Sequence, residues 1–96
     1  MELRQSFGVA LKHARAVRQK TQEDFAGVSG RTYLSALERG LYSPTIDKVS
    51  ALASVLEMHP LTLVALCFLK EDPQFSAGEL LSRVESELNA LGAADD

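Results

Sequence analysis

The stretch Thr21–Gly40, TQEDFAGVSGRTYLSALERG, constrains the chain more than any other. It sets two short helical segments on either side of a pair of glycines, and such a unit has few ways to fold. Thr21 is a good helix N-cap, because its side-chain oxygen can accept from the unpaired amides of a first turn. Asp24 stands where a capping-box acid belongs, and negative charge there suits the positive end of a helix dipole. Phe25 and Ala26 supply the apolar side. Gly27-Val28-Ser29-Gly30 then reads as a turn, since glycine reaches the backbone angles that a sharp reversal needs. A second helix is predicted from about Arg31 to Arg39. Leu34 and Leu37 share one of its faces, whereas Arg31, Thr32, Ser35 and Arg39 lie largely elsewhere. Gly40 fits the C′ position behind it. A short helix with an apolar back and an arginine-bearing front suits a DNA groove; it equally suits a plain solvated surface.

The 96 residues make one domain with a single modest core. Absence of Trp and scarce β-branched alternation favour an all-α chain. No apolar run is long enough to span a membrane, and MELRQSFG lacks the apolar core of a signal peptide, so a cytoplasmic location is expected. Cys67 is the single cysteine, which forbids an intrachain disulfide, and its setting in LVALCFL suits a buried small hydrophobe better than a redox sensor. His13 and His59 have no Cys or acidic companions at ligand spacing, so no metal site is expected. No nucleophile–base pair and no phosphate-cradling glycine loop is visible, so neither catalytic residues nor cofactors are expected.

The net charge of −3 argues against a generic nucleic-acid binder, but its distribution argues otherwise. Residues 1–48 hold eight Lys/Arg against five Asp/Glu, and residues 49–96 hold two against eight. A basic half in front of an acidic half fits a protein that presents one face to phosphates.

Leu3, Phe7, Ala10, Leu11, Ala14 and Val17 recur at helical steps and predict a first helix over about Leu3–Arg18, with Lys12, Arg15, Arg18 and Lys20 on other faces. Beyond Gly40, Pro44 stops the loop from drifting helical and Thr45 caps a helix whose stripe is Ile46, Val49, Leu52, Ala53 and Leu56. Pro60 opens the next helix, which ends near Lys70. Its Leu61, Leu63, Val64, Leu66, Phe68 and Leu69 point nearly all round, so it is either the centre of the core or half core and half subunit interface. Ser76 and Glu79 form an S-x-x-E capping box for a last helix to about Leu91, striped by Leu80, Leu81, Val84, Leu88 and Leu91. Gly92 to Asp96 are expected to fray.

In order, TQEDFA, RTYLSALERG and SPTIDKVSALASVLEMHP resemble the helix-turn-helix of the Cro/phage-repressor family, the xenobiotic-response-element type. The resemblance spans roughly Phe7 to Leu66, about two thirds of the chain. Each piece alone is weak, and the ordered set is fairly specific. Between the TQE and ERG landmarks the chain is about two residues shorter than the usual pattern. Either the second helix is clipped after Ala26, with Val28 plugging the core, or it runs to about Ser29 and the turn is unusually tight. The first is favoured, because Gly27 can end that helix and Ser29 can cap the next.

The resemblance implies an all-α, five-helix repressor-like DNA-binding bundle containing a helix-turn-helix, in residues 1–70, plus one C-terminal helix in residues 71–96. It implies a transcription regulator that binds double-stranded DNA as a homodimer. Arg15 matches the arginine that in relatives pairs with the glutamate of the ERG segment, here Glu38, so this pair is assigned to the fold. Gln22 matches a backbone-contacting glutamine at a helix start. Arg31 is the first choice for a base contact, with the hydroxyls of Thr32 and Ser35 beside it on the reading helix; Tyr33 either touches the DNA backbone or packs on the second helix, and Arg39 equally suits the helix C-terminus by its charge. Ala36 stands where relatives carry a longer polar side chain, so a contact is missing there or a thymine methyl is met instead. Ser43, Thr45 and Lys48 resemble a second phosphate-gripping element, and Lys12 and Arg18 are further phosphate candidates. Leu66, Phe68 and Leu69 with Leu80, Leu81, Val84 and Leu88 form the expected dimer surface, or the last helix simply folds back on its own domain. The rival reading is an antitoxin or adaptor whose main role is to bind a partner protein through that same surface.

Overall fold

Five α-helices and one short 3-10 turn follow one another in the computed structural model, which describes residues 1–93; among these there is no strand. The first helix, α1 (Leu3–Val17), buries Phe7, Ala10, Leu11 and Ala14. Leu3 and Val17, expected at the two ends of that stripe, are instead exposed, because the helix overhangs the core at both ends. Gln19 ends α1 in the left-handed region at φ 58°, with its amide on the Ala16 carbonyl and that of Lys20 on Arg15.

The predicted second helix is reduced to a 3-10 turn, Gln22–Phe25. Asp24 closes it by accepting from the Thr21 amide at 2.7 Å, a bond that holds the Asp24 carboxyl below the usual carboxylate range. Phe25 is fully buried and anchors the turn. The chain then coils through residues 26–30, with the amides of Val28 and Ser29 both reaching the Phe25 carbonyl at 2.9 Å. Val28 is half-buried against the core, as a clipped helix requires. Ser29 does not cap the next helix: it is buried with its hydroxyl 3.4 Å from the Gly30 carbonyl, and Gly30 is the N-cap.

Helix α2 (Arg31–Glu38) follows, and α3 (Ile46–Val55) starts from Thr45, whose hydroxyl accepts from the Lys48 amide at 3.0 Å. Val49, Leu52, Ala53 and Leu56 of the predicted stripe are buried, but Ile46 is 88% exposed, since it lies in the first turn, before the helix meets the core. Helix α4 (Pro60–Glu71) meets α3 at 104° and packs along α1. Pro60 takes its first position as predicted, and the His59 ring supplies the cap, Nδ1 accepting from Leu61 at 3.0 Å. Leu63 and Cys67 turn inward; burial pushes the Cys67 thiol up, and its Sγ lies 3.7 Å from the Leu3 carbonyl. One core joins these residues to Phe7, Leu11, Phe25, Leu34, Leu37 and Leu52.

Helix α5 (Ala77–Ala90) is capped by the Ser76–Glu79 box at 3.0 and 3.1 Å, and it buries none of its residues. Gly92, expected to fray, is its left-handed C′ residue at φ 74°, with the amide bonded to Asn89. Residues 94–96 of the expected frayed tail lie outside the described residues. Among the described residues no single helix is long and apolar enough to cross a membrane.

Candidate nucleic-acid interface

Helix α2 is fixed to the bundle from its back and from its C-terminal end. Leu34 and Leu37 are fully buried, each contributing on the order of 2 kcal/mol through apolar burial. Gly8 lets α1 lie directly against the end of α2: a Cβ there would stand 2.5 Å from the Leu37 carbonyl oxygen and 2.6 Å from that of Glu38. No local spacing marks Gly8 in the sequence, since the requirement comes from the distant Leu37 and Glu38 carbonyls. Behind α2, Gly40 adopts φ 75°, its amide on Leu37 and the Leu41 amide on Ala36, the double bond of a Schellman end.

Arg15 grips Glu38 with two bonds, Nε to Oε2 at 2.6 Å and Nη2 to Oε1 at 3.0 Å, and also donates to the Lys20 carbonyl at 3.2 Å. The hydrogen bond to Glu38 raises the Arg15 pKa against a desolvation cost. Glu38 accepts a third bond, from Gln22 Nε2 at 3.2 Å. The side chain of Gln22, matched by resemblance to a backbone-contacting residue, thus faces the ion pair and is half-buried.

The outer face of α2 carries Arg31, 78% exposed, with Thr32 and Arg39 also exposed and Ser35 half-buried between them. Among the described residues Arg31 pairs only with Glu23, at 4.0 Å and at the surface, a contact that contributes little. Ala36 is buried and belongs to the inner half of the helix, which favours the missing contact over a thymine methyl at that position. Tyr33 is half-buried and stacks on Tyr42, ring centroids 5.9 Å apart and planes 22° apart.

Around this face the expected phosphate ligands divide. Ser43, Thr45 and Lys12 are exposed. Lys48 is half-buried, with Nζ 2.6 Å from the Val28 carbonyl oxygen and 5.6 Å from the centre of the Tyr33 ring. Arg18 is exposed beside Met58 and Leu66, at the groove between α1 and α4. Arg4, passed over in the sequence because its helical position carries no signal, borders a small groove with Ser43 and Pro44, its guanidinium in an exposed pair with Glu2 at 3.0 Å.

A short helix held from behind, with one arginine-bearing face open at the end of a tight turn, completes a helix-turn-helix on a small helical bundle. A family model described as helix-turn-helix matches residues 11–63, more than half of the chain. The chain belongs to that family, the Cro/C1-type helix-turn-helix domains, which are DNA-binding regulatory domains rather than enzymes. No curated protein and no solved structure matches it.

Proposed function

We propose that the protein is a sequence-specific transcription regulator that grips double-stranded DNA as a homodimer on a pseudo-palindromic operator. The observation that carries this is the outward row Arg31, Thr32, Ser35 and Arg39 on a helix whose other side buries Leu34, Ala36 and Leu37, inside the segment matched by the family. Arg31 sits in the first turn, the part of a reading helix that enters the major groove, and its fork matches O6 and N7 of guanine. Thr32 and Ser35 supply short hydroxyls beside it. Lys12, Ser43, Thr45 and Arg4 form the surrounding set for phosphates.

Dimerisation rests on the apolar surface of α4 and α5. Leu66 packs largely on its own core, and Leu69 and Leu80 are half-buried. Phe68, Leu81, Val84 and Leu88 are exposed, Leu81 at 55%. Phe68, Leu81 and Val84, together with Leu61, Val64 and Leu80, border an open groove of about 270 Å³. Exposed apolar groups in such a cluster suit a protein partner, and a second copy gives the operator its symmetry. Half-sites then fall about 34 Å apart along the duplex.

Selection from a random double-stranded pool, followed by titration of the winning duplex at several salt concentrations, tests the reading. A pseudo-palindrome bound on the order of a thousandfold more tightly than bulk DNA is expected. Weak binding without a consensus, with a stable complex to another protein through α4 and α5, would instead make this an antitoxin or adaptor module.

A further inference from the structure

Resting on α2 as the reading helix, we propose that Lys48 is a positioning residue that fixes the N-terminal end of α2 and thereby sets sequence discrimination. It does not act as a phosphate ligand. The two ends of α2 are held unequally. Its C-terminal end has the Gly8 contact, the Arg15–Glu38 pair and the Gly40 turn. Its N-terminal end, which carries Arg31 and Thr32, starts from Gly30 without a side-chain cap and follows only a four-residue 3-10 turn. The Arg31–Glu23 pair there is long and exposed, and such pairs contribute little.

Lys48 reaches across this gap from α3. Its ammonium donates to the Val28 carbonyl in the shortened turn at 2.6 Å and faces the Tyr33 ring in the first turn of α2. Tyr33 in turn stacks on Tyr42 in the loop beyond α2. One charge therefore ties the segments before, within and after the reading helix. An ammonium on a half-buried side chain, held by a carbonyl and an aromatic face, has already exchanged part of its water for protein. Turning to a phosphate would break both contacts and free the end of the helix that must be aimed. The clamp supplies the order that a longer preceding helix would otherwise provide, and a reading head left loose by about 1 Å loses its geometry.

The test uses the full chain, the duplex selected as above and a scrambled duplex of equal length, with Lys48→Met and Tyr42→Ala as variants. Lys48→Met is expected to lower the ratio of operator to scrambled affinity about tenfold, the scale of one lost hydrogen bond to a charged group, with an unchanged salt slope. Tyr42→Ala removes the stack without touching a charge and is expected to lower the ratio in the same direction. A salt slope shallower by about one unit with the ratio intact identifies a phosphate contact and overturns the proposal. Equal weakening on both duplexes, the mark of mere destabilisation, also overturns it. Amide exchange in the free protein separates this from the parent reading. Lys48→Met is expected to speed exchange at the amides of Val28 to Leu34 and leave α1 and α4 unaffected. If wild-type protein shows no sequence preference, the function fails while the exchange result still decides the clamp; unchanged exchange at those amides removes the clamp whatever the DNA result.

Discussion

Arg15 and Glu38 face each other across the join between α1 and α2, bonded at 2.6 and 3.0 Å, with the Glu38 side chain only 6% exposed. The pair fixes α2 to the scaffold by a planar fork that a lysine would not reproduce. Removing one partner strands the other in a poorly hydrated site. Arg15→Ala is therefore expected to cost about 3 kcal/mol in urea unfolding, and Glu38→Ala a similar amount. In a double-mutant cycle the combined loss should fall well short of the sum. Strict additivity would mean the two side chains do not hold each other.

Gly8 makes a second, independent demand on the same join. A methyl group there meets backbone carbonyl oxygens, which cannot rotate away as a side chain would. Gly8→Ala should push α1 off α2 and cost about 1–3 kcal/mol by overpacking. It should also shift amide resonances in both helices. Gly27→Ala, where nothing lies within 4 Å of the added atom, is the matched control and should change little.

How much of this was legible in the sequence depends on how local each cause is. The Ser76–Glu79 box, Pro60 and Gly40 each act through neighbours a few residues away, and their positions could be read directly. The clipping of the second helix after Ala26 is legible too, from the two-residue shortfall before the ERG segment, although the remnant is a 3-10 turn rather than an α-helix. What escaped depends on distant partners. Gly8 answers to Leu37 and Glu38, Lys48 to Val28, and the choice of Gly30 over Ser29 as cap follows from Ser29 being drawn inward. Periodicity also overstates burial at helix ends: Leu3, Val17 and Ile46 keep the pattern where no core remains to receive them. Ala36, left open between a missing contact and a thymine methyl, is turned inward by the fold.

Gln19 occupies φ 58° at the end of α1, a conformation disfavoured for any residue with a Cβ. Its amide already makes the helix-ending bond, so a glycine would keep the geometry and lose the strain. Gln19→Gly should stabilise the protein by about 0.5 kcal/mol, the steric relief being partly offset by the greater freedom of glycine in the unfolded chain. Thermal unfolding measures this directly, and a lower Tm would show that the residue makes an unrecognised contact.

The cap of α5 should respond to acid. The Ser76 amide donates to the Glu79 carboxylate, which lowers the Glu79 pKa below the usual carboxylate range. A depressed folded-state value means that the contribution is present above the unfolded value and is lost as pH falls through the folded one. α5 should therefore fray at its N-terminus only at the acid end of the carboxylate range. Glu79→Gln keeps an acceptor for Ser76 and should remove that dependence, read from the pH profile of the Ser76 and Glu79-position amide shifts. An unaltered profile would place the titrating group elsewhere.

Arg31 and Lys12 separate reading from gripping. Arg31 stands free at the start of α2, its back half held by Leu34 and the rest of the inner face, so its loss should leave the fold intact. Arg31→Ala should cost about 1–3 kcal/mol on the selected operator and relax preference at one base position, with little effect on other sequences. Lys12→Ala, an exposed cation on α1, should weaken all duplexes alike and flatten the salt slope by about one unit. The two signatures are distinct because a guanidinium on a base edge releases free energy only where the right base is present, whereas an ammonium on a phosphate releases a counterion from any sequence. If Arg31→Ala behaved as Lys12→Ala is expected to, Arg31 would be a backbone ligand, and discrimination would fall to Thr32 and Ser35 in the next part of the same helical face.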